Sequence, residues 1–468
     1  MKERILKTLP ALGIGLLIWF WPAPAGVTAQ GWHMLAIFIA TIVGFISGPM
    51  PIGVVAFTSV ALSVVLKVLK PGEALMGFAD NTVWLIVAAF LFAKGFIKTG
   101  LGRRIAYNIM SVLGSSTLKL SYALMLSDVA ISPATPSNTA RAGGILFPIV
   151  QGLAVAFKST PENGPRKIGS YLMLSTFQVN CITSTMFLTA MAPNPLIASL
   201  AASTVPGLEL TWGMWALAAS VPAILSLITI PYLLYKIYPP EIKETPEARE
   251  IAQSELKKMG PLSKEEIVVG FVFILCLILW ATSSLTKLNA TNIAMLGVTI
   301  MLWTSALSWD DVINDKAAWD ALIWMGTLVC FAGYLSKFGL VKLFAASVSS
   351  ALVGIPWLTA LIILLLVYMY SHYFFASTSA HVTAMYGAFL AVAVAAGAPP
   401  YLAALSLAFV SGLYCGLTHY GNGPASIYFG SGYIPQGTFW KMGFIVSLVN
   451  MSIWLTVGPV WWKFLNLW

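Results

Sequence analysis

The sequence predicts an all-α, polytopic membrane protein built as two inverted repeats, and three observations carry that prediction. The composition is too apolar for a soluble surface, apolar runs of membrane-spanning length recur along the chain, and a short polar motif occurs twice, 240 positions apart. Of 468 residues, 58% are hydrophobic and 9% charged, with a mean hydropathy of +0.84. A water-soluble domain of this length needs far more charge. Runs such as residues 35–66, 214–235 and 267–285 are long enough to cross a hydrocarbon layer of about 30 Å. About eleven spans plus two re-entrant hairpins are expected.

Each element follows in order. Lys2, Arg4 and Lys7 precede an apolar stretch that ends near Ala23-Pro24-Ala25. A cleaved signal peptide would have that form, but the stretch is long enough for a retained first helix, assigned to residues 1–29 with a cytoplasmic N-terminus. Residues 30–238 form the first repeat, with a hairpin at about 120–157. Seven of the 17 acidic residues crowd into residues 239–266 among Lys243, Arg249, Lys257, Lys258 and Lys264. This is a charged, partly helical linker. Residues 267–468 form the second repeat, with a hairpin at about 357–396.

Trp84 and Gly100-Leu101 answer to Trp324 and Gly339-Leu340, Trp212 to Trp440, and Pro231 to Pro459. Their collinear order points to duplication. Lys98, Arg103 and Arg104, then Lys158, Arg166 and Lys167, then the linker are basic clusters that the positive-inside rule places in the cytoplasm. An odd number of spans per repeat then inverts the second half and puts the C-terminus outside.

The doubled motif is Pro136-Ser137-Asn138-Thr139-Ala140-Arg141 and Ala376-Ser377-Thr378-Ser379-Ala380-His381. Polar groups survive at membrane depth only when buried in protein or lining a cavity, so Ser137, Asn138, Thr139, Ser377, Thr378 and Ser379 are candidate ligand donors. Hydroxyls also join transmembrane helices without any ligand. Arg141 offers a fork of donors matched to carboxylate or phosphate, although it could also pair with Asp128 or reach the cytoplasmic surface. His381 supplies a second basic residue at the same offset. His372 and His419 have no symmetric partner at the motif and His33 reads as interfacial, so no role is assigned to them. Two proline- and glycine-containing loops, with Thr189, Pro193 and Asn194 in one and Thr418, Asn422, Gly423 and Pro424 in the other, read as helix breaks whose freed backbone binds solute.

Other classes lack support. The net charge of +9 is the ordinary basic excess of cytoplasmic loops, so nucleic acid is not an expected partner. Cys181, Cys276, Cys330 and Cys415 have no metal spacing, and no metal motif, phosphate-cradling glycine loop or nucleophile elbow occurs. No metal or cofactor is expected, and the chain is not read as an enzyme. A basic-filter anion channel fits poorly with the broken-helix repeats.

The strings Ser137 to Gly144 and Ala376 to Met385, with the collinear repeat, resemble the divalent anion:sodium symporter family and, within it, the 2-oxoglutarate/malate translocator branch. The resemblance implies a homodimer, each protomer having a scaffold and a transport domain that moves as an elevator. It implies dicarboxylates or tricarboxylates of the succinate, malate, fumarate and 2-oxoglutarate class as substrates, held by both motifs and flanked by the two breaks. Thr378 stands where the family has asparagine. Arg141 and His381 lie where a fixed positive charge would repel sodium, so they are expected to replace sodium as counter-charges. Because a side chain cannot leave the site as sodium does, sodium-independent exchange is expected. A sodium-coupled symporter is the alternative. The expected location is a bacterial inner membrane.

Overall fold

The computed structural model describes residues 2–340, 343 and 355–468, and among them the regular structure is helical. In chain order the helices are α1 (Lys2–Phe20), α2 (Ala29–Ser47), α3 (Ile52–Val65), α4 (Asn81–Thr99), α5 (Leu101–Leu113), α6 (Thr117–Ile131), α7 (Asn138–Ala156), α8 (Gly169–Met186), α9 (Pro193–Thr204) and α10 (Trp212–Ile237). The linker holds α11 (Glu247–Met259). There follow α12 (Lys264–Ala281), α13 (Ala290–Trp303), α14 (Lys316–Lys337), α15 (Trp357–Phe374), α16 (Thr378–Ala395), α17 (Pro400–Gly416), α18 (Gly423–Gly430) and α19 (Gln436–Phe464). By length and composition α2, α4, α7, α10, α14, α15, α16 and α19 can each cross a membrane, and α3, α13 and α17 are shorter apolar helices.

Local chemistry sets the boundaries. Asp80 accepts hydrogen bonds from the first amides of α4, Thr211 caps α10, and Ser263 with Glu266 forms a capping box on α12, satisfying amides that have no partner inside the helix. Gly100 (φ 78°) follows α4 and Gly339 (φ 79°) lies just beyond α14. Both occupy the left-handed region that disfavours a side chain, so this sequence match marks the same stop signal in each half.

Matched positions of the two halves make matched contacts. All 18 residues of α8 are buried, as is α17 from Leu402 to Leu413. The two meet where Gln178 Nε2 donates to Gly416 O at 2.9 Å. The last helices of each half, α10 and α19, pack on one another, each with its matched proline inside, Pro231 or Pro459. Trp454 Nε1 donates to Ser226 Oγ and Trp462 Nε1 to Ala218 O, stitching them together. The matched tryptophans repeat a contact too. Trp212 Nε1 donates to Thr189 Oγ1 at 3.0 Å, and Trp440 Nε1 to His419 Nδ1 at 2.9 Å, so each indole holds its own half's break.

The three basic clusters share one face of the molecule. Arg104 grips Glu266 at 2.6 Å and the carbonyl oxygens of Met259 and Gly260, tying the end of the linker to the first cluster. Glu241 N and Ile242 N donate to Arg166 O and Lys167 O, tying its start to the second. Lys98, at the end of α4, is paired with Asp311 of the short helix Trp309–Ile313.

Candidate substrate-binding site

Both motifs sit at the tip of a helical hairpin, and both tips are built alike. In the first, α6 ends in a 3₁₀ turn, Ser132–Ala134, and the backbone is extended at Thr135 and Ser137 before α7 begins. Pro136 has no amide to donate and favours extended backbone in the residue before it. In the second, α15 tightens into a 3₁₀ turn at Ser371–Phe374 and the chain is extended at Phe375 and Ser377 before α16. Ser137 Oγ accepts from Ala140 N at 3.1 Å and Ser377 Oγ from Ala380 N at 3.4 Å. Each motif serine is therefore an N-cap whose hydroxyl proton stays free for a ligand. A five-residue π-helical segment follows each motif, Ala142–Leu146 and Val382–Tyr386, again 240 positions apart. Such segments concentrate at functional sites.

The breaks complete the arrangement. α8 stops at Met186 and α9 restarts at Pro193, while α17 stops at Gly416 and α18 restarts at Gly423 under an Asn422 cap. The N-termini of α7, α9, α16 and α18 thus border one cavity of about 240 Å³, walled by Ser137, Asn138, Thr139, Met191, Ala192, Pro193, Ser377, Thr378, Ser379, Asn422 and Gly423, with Pro136, Ala376 and Phe90 of α4. Among the described residues, no charged side chain lines it. Each helix N-terminus presents about half a positive elementary charge and unpaired amides, so the backbone itself makes this cavity attractive to anions. Its volume lies below the usual range for drug-sized ligands, about 300–1,000 Å³, and suits a small polar molecule. A larger groove of about 500 Å³ between α1, α2 and α3 is walled mainly by apolar side chains and offers no comparable donor set.

The structure sorts the candidate residues into wall and support. Ser137, Asn138, Thr139, Pro193, Ser377, Thr378, Ser379, Asn422 and Gly423 line the cavity. The two halves touch there, since a β-carbon on Gly423 would run into Thr139. Thr378 turns its hydroxyl to Cys415 Sγ at 3.1 Å, which leaves Ser377 and Ser379 as the hydroxyl donors on that side. Thr189, Asn194, Thr418 and Pro424 are absent from the wall. Thr189 bonds Pro133 O, and Asn194 Nδ2 bonds Ser184 O and Phe187 O, so they hold the first break in shape.

Arg141 also lies behind the wall, fully buried. Its Nε donates to Asp128 Oδ1 at 2.6 Å, Nη1 to Thr135 O and Ala190 O at 3.0 and 2.9 Å, and Nη2 to Thr183 Oγ1 and Ser184 Oγ. All five donors are spent on protein. Asn180 and Thr183 also donate to Asp128, closing a network that ties the first hairpin to α8 and to the first break.

His381 is buried too, and His372, to which the sequence assigned no role, is its partner. His372 Nε2 donates to Gly421 O at 3.1 Å, the two Nδ1 atoms lie 3.1 Å apart, and His381 Nε2 is 3.1 Å from Ser371 Oγ. Phe375 stacks on the His381 ring and Tyr414 on the His372 ring. Spacing hid this pair because His372 sits on the 3₁₀ turn, where neither helical nor strand periodicity applies. Phe90 was also missed: a lone phenylalanine in an apolar run carries no sequence signal. His33 stacks on Trp19 at 3.8 Å, and all four cysteines are free and buried.

Paired hairpins and paired broken helices closing on a polar cavity define a membrane transporter of repeat architecture. The profile of the sodium:sulfate symporter transmembrane region matches residues 2–468, and the chain belongs to that family. It is 52% identical over 471 residues to the putative malate transporter YflS of Bacillus subtilis, covering 100% of this chain and 98% of that one. It is 47% identical to the chloroplastic dicarboxylate transporter 1 of Arabidopsis thaliana, covering 99% and 84%, and 37% identical to the Escherichia coli inner membrane protein YbhI, covering 100% and 99%. Among solved structures, the YdaH transporter of Alcanivorax borkumensis superposes with a TM-score of 0.57 at 11% identity, covering 99% of this chain and 97% of that one. MtrF of Neisseria gonorrhoeae gives 0.58 at 13%, covering 98% and 94%. Those two establish likeness of fold. The family and its relatives are transporters, not enzymes, and this chain is a multi-pass membrane protein.

Proposed function

We propose that this protein exchanges dicarboxylates of the succinate, malate, fumarate and 2-oxoglutarate class across a bacterial inner membrane, without sodium. The single observation that carries the reading is the cavity itself, where four helix N-termini and the two motifs face one another with no charged side chain between them. The malate and dicarboxylate transporters among the relatives supply the substrate class. One carboxylate binds at Ser137, Asn138 and Thr139, the other at Ser377 and Ser379, with Asn422 and Gly423 closing one side.

Sodium independence is read from the donors the chain itself places at the breaks, where the carbonyl oxygens of Ala190 and Gly421 accept N–H bonds from Arg141 and His372, while Asn194 Oδ1 and Thr418 Oγ1 have no partner among the described residues. Those donors and the helix dipoles belong to the chain and cannot leave with the substrate. Asp128 cancels the net charge of Arg141, so the positive potential of the empty site comes from the helix ends. A bound dianion offsets that potential, which favours crossing loaded and hence exchange. The hairpins, α8–α9 and α17–α18 move as a transport domain against a scaffold that includes α4, as an elevator in a homodimer. The basic face is cytoplasmic, with the N-terminus inside and the C-terminus outside.

Labelled succinate uptake into proteoliposomes tests this. The expected result is uptake that requires internal dicarboxylate and is unchanged by a sodium gradient. Sodium-driven uptake into vesicles without internal substrate would establish the symporter instead.

A further inference from the structure

Lys94 lies within the membrane-spanning length of α4, four residues after Phe90, which lines the cavity, and four before Lys98 on the basic face. Residues four apart share a helix face about 6 Å apart along the axis. The neighbours Phe92, Ala93, Gly95 and Phe96 are buried, whereas Phe90 and Lys94 are half-buried and Ile97 is exposed. The open stripe of α4 therefore runs from the cavity, past Lys94, to the basic face.

Lys98 and Lys94 differ in one decisive respect. Lys98 is neutralised by Asp311, itself fixed by Ser308. Lys94 has no ion pair and no hydrogen bond among the described residues. Of the elements packed on α4, α9 and α13 contain no acidic residue, Asp320 of α14 lies against Gly53 of α3, Glu265 of α12 is exposed and Glu266 is held by Arg104. A lone ammonium at this depth is costly on a lipid-facing surface, and the same cost disappears in a hydrated crevice visited by anions.

We infer that Lys94 is a second, transient carboxylate subsite on the path between the binding cavity and the basic face. It rests on the reading of the cavity as a dicarboxylate site. Being on α4 and outside the hairpins, it meets the substrate on one side of the transport cycle only. An unpaired cation on the open stripe leading to the cavity raises the local anion concentration and speeds capture. Its effect therefore belongs to entry and exit on that face, with the bound state in the cavity unchanged.

The test compares exchange of labelled succinate in right-side-out and inverted membrane vesicles carrying wild type, Lys94→Gln, Lys94→Met or Lys94→Arg. Removing the charge is expected to lower kcat/KM roughly tenfold at the basic face, leave the opposite face unchanged and flatten the salt dependence. Lys94→Arg should retain most of the wild-type value. Unchanged kcat/KM at the basic face in both neutral variants, or equal losses on the two faces, would overturn the inference. Wild-type vesicles that exchange no dicarboxylate would instead overturn the functional reading beneath it.

Discussion

At equivalent positions the two halves solve one problem with different chemistry. In the first, Asp128 and Arg141 form a buried ion pair with every guanidinium donor engaged. In the second, 240 positions on, Tyr368 and His381 take their places; the rings lie 4.8 Å apart, and His372 rather than a carboxylate completes the node. Each node binds a carbonyl of its own break, Ala190 O or Gly421 O. The first is locked by charge and cannot change state without leaving a buried ion alone. The second is held by aromatic stacking and weaker hydrogen bonds. The duplicated scaffold thus combines one ion-paired anchor with one aromatic one.

The largest expected effect is on the locked node. Arg141→Ala leaves Asp128 buried and unpaired, at a cost of about 3–5 kcal/mol, and abolishes transport. Thermal unfolding in detergent reads the first and vesicle uptake the second. The double variant Asp128→Asn/Arg141→Met should recover part of the stability and none of the transport, separating the anchor's structural role from its functional one. Recovery of both would mean that the node only holds the fold.

Gly423→Ala tests the contact between halves. Its β-carbon meets Thr139 inside the cavity, so succinate affinity should fall roughly tenfold or more with little change in unfolding temperature. Equal affinity in this variant would mean that the first motif does not face the second break in the working protein.

His381→Phe tests the second node. The ring can keep its stacking on Phe375, but His372 and Ser371 lose a partner, at about 1–2 kcal/mol. Stability should fall by clearly less than in Arg141→Ala. A loss as large as that of the arginine variant would make the two nodes equivalent.

The smallest effect lies outside the membrane. Burial would raise the Asp311 carboxyl, but the Lys98 ammonium and the Ser308 donors overcome it and hold it down, from 3.8 to about 2. Its folded value lies below its unfolded one, so the stabilisation is complete above about pH 4 and is lost as pH falls toward 2. Asp311→Asn should remove that acid dependence and cost less than about 1 kcal/mol at neutral pH.

Much of this was legible in the residues. The motifs stood out because small polar groups are costly in an apolar chain, and Gly100 with Gly339 and Trp212 with Trp440 marked the repeat because each serves one local geometric purpose. The direction of Arg141 was not legible. A guanidinium can serve a ligand or a carboxylate equally well, and only three-dimensional placement puts Asp128, Thr183 and Ser184 around it. The convergence of four helix N-termini was also hidden, because it depends on how the breaks in α8–α9 and α17–α18 are brought against the hairpin tips. The π-helical segments have no residue signature here beyond the equal offset.

If the four helix N-termini at the cavity supply the positive potential that holds a dianion, succinate binding needs no sodium. Calorimetric titration of succinate into the purified protein, in sodium chloride and in choline chloride of equal ionic strength, tests it most directly. The same affinity is expected in both salts; binding that appears only in sodium would overturn sodium-independent exchange.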